Sequence, residues 1–399
     1  MPYPRLHTSC LWLITCLLLC GTARAQDIFY GTNQYIEYQQ GTVPIILTVP
    51  HGGAIQPTSI PDRTCNNAVN VTDVHTIETA LEIKKALFTK TGCYPHIVIC
   101  HLKRTKLDCN RNLTDAACQQ PEAELAWKEF HQFIVQARTT IQAGYSDQAM
   151  IFDIHGHGHA IPRIELGYLL DSDELAEPDA ILNTPKYINY SSLRRLALTS
   201  ASEATHAQLL RGNQALGTLL HDHGFPSVPS RQDPAPAPDD PYFSGGYITA
   251  THTCYTDTVL MNGVQMELNN AGIRNTAANR SRFAGAFAEA AITFLSTHFA
   301  INWQSCQPKT AIKETIVSHK EIRVYPNPIA PGDMLHVNTM SEDVVSFLLY
   351  TPGGTLIHSG TLDPCCRDIR MPDLPQGLYI LKVTEIHGIH CDVYKIICL

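Results

Sequence analysis

The 399-residue sequence lacks any run of lysines and arginines, and its 29 basic side chains are outnumbered by 37 acidic ones, for a net charge of −8. Such a balance offers no electrostatic footprint for nucleic acid. Beyond residue 25 no stretch is long and apolar enough to span a bilayer as a helix. There is no Cys-x-x-Cys pair, which argues against a cysteine-based zinc cage. No internal repeat is visible, which sets aside repeat architectures.

What is present at the start reads as an export signal. Arg5 and His7 precede the apolar run Leu11–Leu19, and Ala23-Arg24-Ala25 supplies a small-residue cleavage pattern. The run is too short for a permanent membrane span, and Leu19 before Cys20 fits a lipidation signal poorly. Residues 1–25 are therefore expected to be a signal peptide, and the mature chain a soluble exported protein. Three of the fourteen cysteines leave with that segment. Export favours disulfides, yet the odd remainder leaves at least one thiol unpaired, and the sequence does not set the connectivity.

Two regions of different periodicity follow. From about residue 40 to 300, short apolar runs alternate with helical patterns. The expected strands are Pro44–Val49, His96–His101, Ala149–Ile154 and Val259–Leu268. The expected helices are Asp73–Thr89, Glu122–Ala143, the Ser200–His223 region and Arg280–Phe299. Interleaving of this kind predicts an α/β domain, residues 26–305, with a parallel or mixed sheet. The Pro-, Asp- and Gly-rich stretch Pro229–Tyr247 reads as a long loop, and such loops often wall a binding site. After a polar linker, 306–319, short strands and turn residues over 320–399 predict a small all-β sandwich.

Four polar clusters fall at the C-terminal ends of the expected strands, where ligands bind in open α/β sheets. They are "TVPHGG" with His51, "RTKLDCNR" with Arg104, Asp108, Asn110 and Arg111, "DIHGHGH", and "VQMELNN" with Glu267. A catalytic metal needs about three nitrogen or oxygen ligands and one open position. His51 and His155 each follow an apolar strand and can converge on one ion, although either alone reads equally well as a turn histidine. Asp73 can supply the third ligand or simply cap its helix; Glu78 is the weaker alternative. Glu267 shares a polar strand face with Gln265 and Asn269, which suits either a general base or the exposed side of an edge strand. Arg111 with Asn110 suits a substrate carboxylate, or Arg111 can pair with Asp108. Arg104 either enters the site or is solvated. In the histidine row, Asp153 is placed to orient a ligand, His157 to touch substrate, and His159 on a turn surface.

Taken together, "VPHGG", "VTDVHT", "KRTKLDCNR", "FDIHGH" and "VQMELNNAGIR" resemble the N-formylglutamate amidohydrolase family, distant relatives of zinc carboxypeptidases and succinylglutamate desuccinylases. The resemblance implies a three-layer α/β/α zinc-carboxypeptidase-like domain. It implies one zinc ion held by His51, Asp73 and His155, and Glu267 as general base and acid. It further implies Arg104 as oxyanion stabiliser, Asn110 and Arg111 as a carboxylate clamp, and Arg163 as a substrate-binding position. Carboxypeptidase-type sites place the acidic ligand three residues after the first histidine, where this chain has Ala54. The true deformylases are cytoplasmic, so the reaction class transfers better than the substrate.

The C-terminal segment is similar to the type IX secretion sorting domain, on "VYPNP", "LHVNT", "LLYTPGGTLIHSG", "LPQGLYILKV" and the Lys-Ile-Ile ending. That resemblance implies an Ig-like sandwich, the type IX machinery as partner, and a secreted or outer-membrane surface location in a Gram-negative bacterium. The functional expectation is an exported amidohydrolase for a carboxylate-bearing substrate, an N-acyl amino acid or a peptide end. The alternatives are a surface carboxypeptidase, a peptidoglycan amidase, and a non-catalytic binding module.

Overall fold

The computed structural model describes residues 26–65, 68–145, 148–255, 259–303, 323–338, 345–352, 355–363, 367–385 and 391–399. The expected signal peptide and the 306–319 linker lie outside the described residues. The chain divides into two compact units, Met1–Thr310 and Ala311–Leu399. No helix among the described residues is long and apolar enough to cross a membrane.

The first unit is built on eight strands: β1 (Ile28–Tyr30), β2 (Ile36–Gln39), β3 (Ile45–Val49), β4 (His96–Cys100), β5 (Met150–His157), β6 (Ile164–Gly167), β7 (Ser227–Val228) and β8 (Asn262–Asn269). They form one sheet in the order β1-β2-β4-β3-β5-β8-β6-β7. The four strands expected from sequence are its parallel centre, β4, β3, β5 and β8. Strands β2 and β6 flank that centre antiparallel, so the sheet is mixed.

Both faces of the central strands are buried, which explains their near-continuous apolar character. Ile45, Leu47, Val49, Phe152 and Ile154 pack with the helices Thr76–Thr91 and Ala277–Phe299 in one core. Ile46, Val98 and Ile151, on the alternate positions, pack with the helix Pro121–Tyr145 in another. The β5 strand runs on to His157, three residues past the expected end. Its period of two therefore puts Asp153, His155 and His157 on one face. Those residues stand in register with Gln265, Glu267 and Asn269 of β8. Because β8 lies between β5 and β6, Glu267 is in the sheet interior and buried, not on an exposed edge.

Two helix expectations are corrected. The helix expected to open at Asp73 spans Thr76–Thr91, with His75 at the N-cap position in the left-handed region (φ 65°). Asp73 thus precedes the helix, which frees its carboxylate from a capping role. The Ser200–His223 region is two short helices, His206–Arg211 and Leu216–Asp222. Gly212 and Asn213 interrupt the apolar period between them, and Thr205 starts the first with a capping box. A disulfide joins Cys65 to Cys118, and it ties the segment before Asp73 to the one after Asn110.

The second unit holds β9 (Arg323–Tyr325), β10 (Met334–Asn338), β11 (Val345–Tyr350), β12 (Leu356–Leu362), β13 (Asp368–Arg370), β14 (Gly377–Glu385) and β15 (Cys391–Cys398). They form a three-stranded sheet, β13-β10-β9, and a four-stranded sheet, β12-β11-β14-β15. Leu335 and Val337 of one sheet share a core with Phe347, Leu349, Leu381 and Ile396 of the other. This unit is a small all-β domain with one apolar interior.

Candidate functional site

His51, just past β3, and His155, on β5, meet with ring centroids 4.7 Å apart and edge to face. Each ring is held by a buried carboxylate. His51 Nε2 donates to Asp108 Oδ1 at 2.6 Å, and His155 Nε2 donates to Asp153 Oδ2 at 2.8 Å. When either ring carries a single proton, these short contacts keep it on Nε2, so that Nδ1 can offer its lone pair to a metal ion. Both Nδ1 atoms face Asp73, whose Oδ2 lies 3.3 Å from His51 Nδ1 and 3.4 Å from His155 Nδ1. The Gly156 N–H donates to the same oxygen at 3.1 Å and fixes the carboxylate over β5.

Three donor atoms from His51, Asp73 and His155 thus converge in a buried position that could hold a metal ion. A tetrahedral site with ligands about 2.0–2.1 Å from the metal has donor atoms about 3.3 Å apart. The two observed spacings to Asp73 match that edge. Carboxylates behind both histidines complete the usual arrangement around metal-ligating imidazoles. Asp108 was visible in the sequence as an acid near Arg111. In the structure it pairs with His51 and, through Oδ2, with Arg104 Nε at 3.0 Å, and the expected Asp108–Arg111 pairing is not formed.

Glu267 stands beside this triad, its Oε1 3.9 Å from His155 Nδ1. Gln265 Nε2 donates to Oε1 at 2.8 Å and orients the group. Burial pushes the Glu267 carboxyl up to about 7; the His155 ring partly offsets this and the Asp73 charge adds to it. Asp73 moves the other way: burial alone would raise it, but His51 and His155 hold it well below the usual carboxylate range. Burial opposes charge on His155 too, yet Asp153 and Asp73 raise it well above an ordinary imidazole. A strong local field is thus concentrated on a few atoms.

His51, Asp73, His155 and Glu267 line a cavity of about 730 Å³. Arg104, Asn110 and Arg111 line it. Arg104 Nη1 also approaches Asp73 Oδ1 at 3.5 Å. The Asn110 amide accepts from the Ile248 N–H at 2.8 Å and donates to Gln265 Oε1 at 3.2 Å, which fixes its orientation. The Arg111 guanidinium makes no ion pair or hydrogen bond among the described residues. It is the cation of this wall left open to a ligand.

Three sequence expectations change. His157 lines the cavity, but its Nδ1 accepts from the His159 N–H at 3.1 Å and its Nε2 donates to the Arg163 carbonyl at 2.8 Å. Neither nitrogen remains for a substrate. The same bonds withdraw His157 from the second histidine–acid group, His157, His159 and Glu165. His159 is not turn surface: its Nδ1 meets Glu165 Oε1 at 2.7 Å and its ring stacks on Phe243. Arg163 does not line the cavity. Its guanidinium pairs with Asp233 at 3.0 Å and Asp240 at 3.1 Å, and so anchors the 229–247 loop. Glu78 is exposed on its helix, away from the triad.

Arg274 carries no signal in the sequence that marks it as part of the site. Its buried guanidinium bridges the carbonyls of Leu268 (2.9 Å), His157 (3.2 Å) and Val74, and locks the ends of β5 and β8 to the Asp73 segment. Gly156 makes room for it, since a Cβ there would lie 2.3 Å from the Arg274 Cζ. The glycine between the two histidines is a packing requirement.

No family model matches the sequence, and no curated protein matches it. Among solved structures, the chain is similar to PorZ, an essential bacterial surface component of the type-IX secretion system of Porphyromonas gingivalis. That match has 15% identity and a TM-score of 0.17, and covers 20% of this chain and 11% of that one. A match of this extent assigns neither fold nor function.

Proposed function

We propose that this chain is an exported, zinc-dependent amidohydrolase acting on a substrate with a free carboxylate. The observation that carries the proposal is the approach of two histidine Nδ1 atoms to one Asp73 oxygen, at 3.3 and 3.4 Å, with a carboxylate behind each histidine. His51, Asp73 and His155 would hold the ion. Zinc bound there supplies Lewis acidity toward a carbonyl oxygen and brings the pKa of a bound water to about 7.

The chain's own residues do the rest. Glu267, next to the triad but outside it, accepts a proton from the attacking water at the oxygen that Gln265 leaves open. It then delivers that proton to the leaving nitrogen as the C–N bond breaks, giving a carboxylate and an amine. Arg104 faces the developing oxyanion, a contribution of roughly 3–4 kcal/mol for a well-aimed donor. Arg111, with Asn110 beside it, holds the substrate carboxylate. His157 and Arg163 serve the frame of the site and not the substrate.

This reading keeps the resemblance to the N-formylglutamate amidohydrolase family and its zinc-carboxypeptidase-like α/β/α fold. The small β domain is then an Ig-like type IX sorting module that delivers the enzyme to the surface of a Gram-negative cell or beyond it. Glu267→Gln tests the enzyme assignment. Hydrolysis of N-acyl amino acids should fall by about 10²–10⁴-fold with zinc still bound; retention of most activity would remove Glu267 from the mechanism.

A further inference from the structure

A second constellation lies outside the metal cavity. His298, near the end of the helix Ala277–Phe299, is 2% exposed, and both of its ring nitrogens are engaged. Nε2 meets the Gln214 carbonyl at 3.0 Å. A carbonyl only accepts, so that nitrogen carries the proton. Burial, partly offset by the same carbonyl, pushes the pKa of the ring below that of an ordinary imidazole, which keeps it neutral at pH 7. Nδ1 is then a lone pair, and Ser202 Oγ lies 2.8 Å from it. The Ser202 hydroxyl therefore donates to His298, and the Ser200 hydroxyl donates to Ser202 Oγ at 2.9 Å.

Hydroxyl, imidazole and a fixed acceptor in this order make an activated nucleophile, with a base on the oxygen and a third group orienting the base. The backbone holds the arrangement in place. The Ala201 N–H donates to the His298 carbonyl at 2.8 Å, which pins the serine turn to the last turn of the helix. Glu203, next to Ser202, holds φ 55°, a left-handed conformation that is strained for a glutamate. Ser202 itself is exposed and opens on a cavity of about 380 Å³, which shares no lining residue with the metal cavity. Asn213 and Gln214 also line it, and their N–H groups donate to no acceptor among the described residues.

We propose that Ser202 is the nucleophile of a hydrolytic site separate from the metal centre, with His298 as its base and a short-chain carboxylic ester of a polar alcohol as its substrate. Ser202 Oγ attacks the ester carbonyl carbon while His298 Nδ1 takes the hydroxyl proton. The C–O bond to the alcohol breaks, and His298 passes the proton to the leaving oxygen. Water then attacks the acyl-serine by the same path, releasing the acid and restoring the hydroxyl. The Asn213 and Gln214 N–H groups and the Arg231 guanidinium are the donors this cavity offers to the oxyanion. The small side chains of Ala204 and Thr297 leave room for a short acyl group, and Gln208 suits a hydroxylated alcohol. None of these residues belongs to the metal site, so neither assignment depends on the other.

The test uses the full chain carrying Glu267→Gln, so that the proposed metal site does not contribute. It is treated with a fluorophosphonate and digested, and fragment-ion sequencing locates the adduct. One adduct, on Ser202, is expected. The same protein should hydrolyse p-nitrophenyl acetate, and Ser202→Ala, at an exposed position that lets the variant fold, should abolish this. His298→Gln, checked for folding by circular dichroism, should label about a hundredfold more slowly or worse. Unfolding in urea breaks the pair without a substitution and should also stop labelling. No adduct on Ser202, an adduct on Ser200 in its place, labelling at the native rate in urea or in His298→Gln, or ester hydrolysis that survives Ser202→Ala overturns the proposal.

Discussion

His51 and Asp108 are joined at 2.6 Å through Nε2, with both side chains buried. This contact decides which His51 nitrogen faces Asp73, and therefore whether the triad can bind a cation at all. Burial alone would raise the Asp108 carboxyl, but His51, Arg104 and Arg63 hold it well below the usual range.

Asp108→Asn should therefore weaken metal affinity by about 10–100-fold with little change in fold, the usual effect of removing the partner behind a metal-ligating histidine. Asp153→Asn should do the same through His155. Competition with a chromogenic chelator measures both. An affinity equal to wild type in either variant would show that the carboxylate does not set the ring.

The strand positions of these groups were legible in the sequence; their partners were not. Apolar runs marked the four central strands because those strands are buried on both faces, and the period of two in "DIHGHGH" already aligned Asp153, His155 and His157. The departures came where tertiary contacts override local signals. Asp73 looked like a helix cap, yet the helix starts at Thr76 and the carboxylate turns to the histidines. His159 looked like turn surface, yet Glu165 of β6 and Phe243 of the long loop close on it in the fold. Arg163 is taken up by acids 70 and 77 positions away along the chain, which no local pattern encodes.

Stability of the first unit should fall as pH drops below about 6.5. Burial pushes His96 down to about 3, and burial, partly offset by the Cys109 carbonyl, pushes His131 down to about 4. In the unfolded chain both take up protons below about 6.5. Between those limits the unfolded state binds more protons at these two groups, so their contribution to stability is lost as pH falls through the window, by up to about 5 kcal/mol for His96 and about 3 kcal/mol for His131 at its lower end. Urea unfolding followed by the fluorescence of Trp127 and Trp303, both in this unit, should show a lower midpoint at pH 5 than at pH 7. His96→Gln should reduce the difference. An unchanged midpoint would contradict the buried neutral state of these rings.

Replacing both Cys65 and Cys118 by serine should destabilise the first unit. The cross-link closes a loop over a sequence separation of 53, for which chain entropy gives about 4 kcal/mol as an upper value. Val69 and Val71, between Cys65 and Asp73, line the cavity, so the same variant should also bind metal more weakly. Differential scanning fluorimetry and chelator competition report the two effects. A melting temperature indifferent to reductant and to the substitutions would show that the bond contributes nothing.

The proposed function stands or falls on His51, Asp73 and His155 forming one metal site. The most direct measurement is the zinc content of the purified full chain by plasma mass spectrometry, after dialysis, for wild type and His155→Ala in parallel, with circular dichroism to confirm that both are folded. One zinc per wild-type chain is expected, with near-complete loss in the folded variant. Equal zinc in both, or none in the wild type after incubation with the metal, would contradict it.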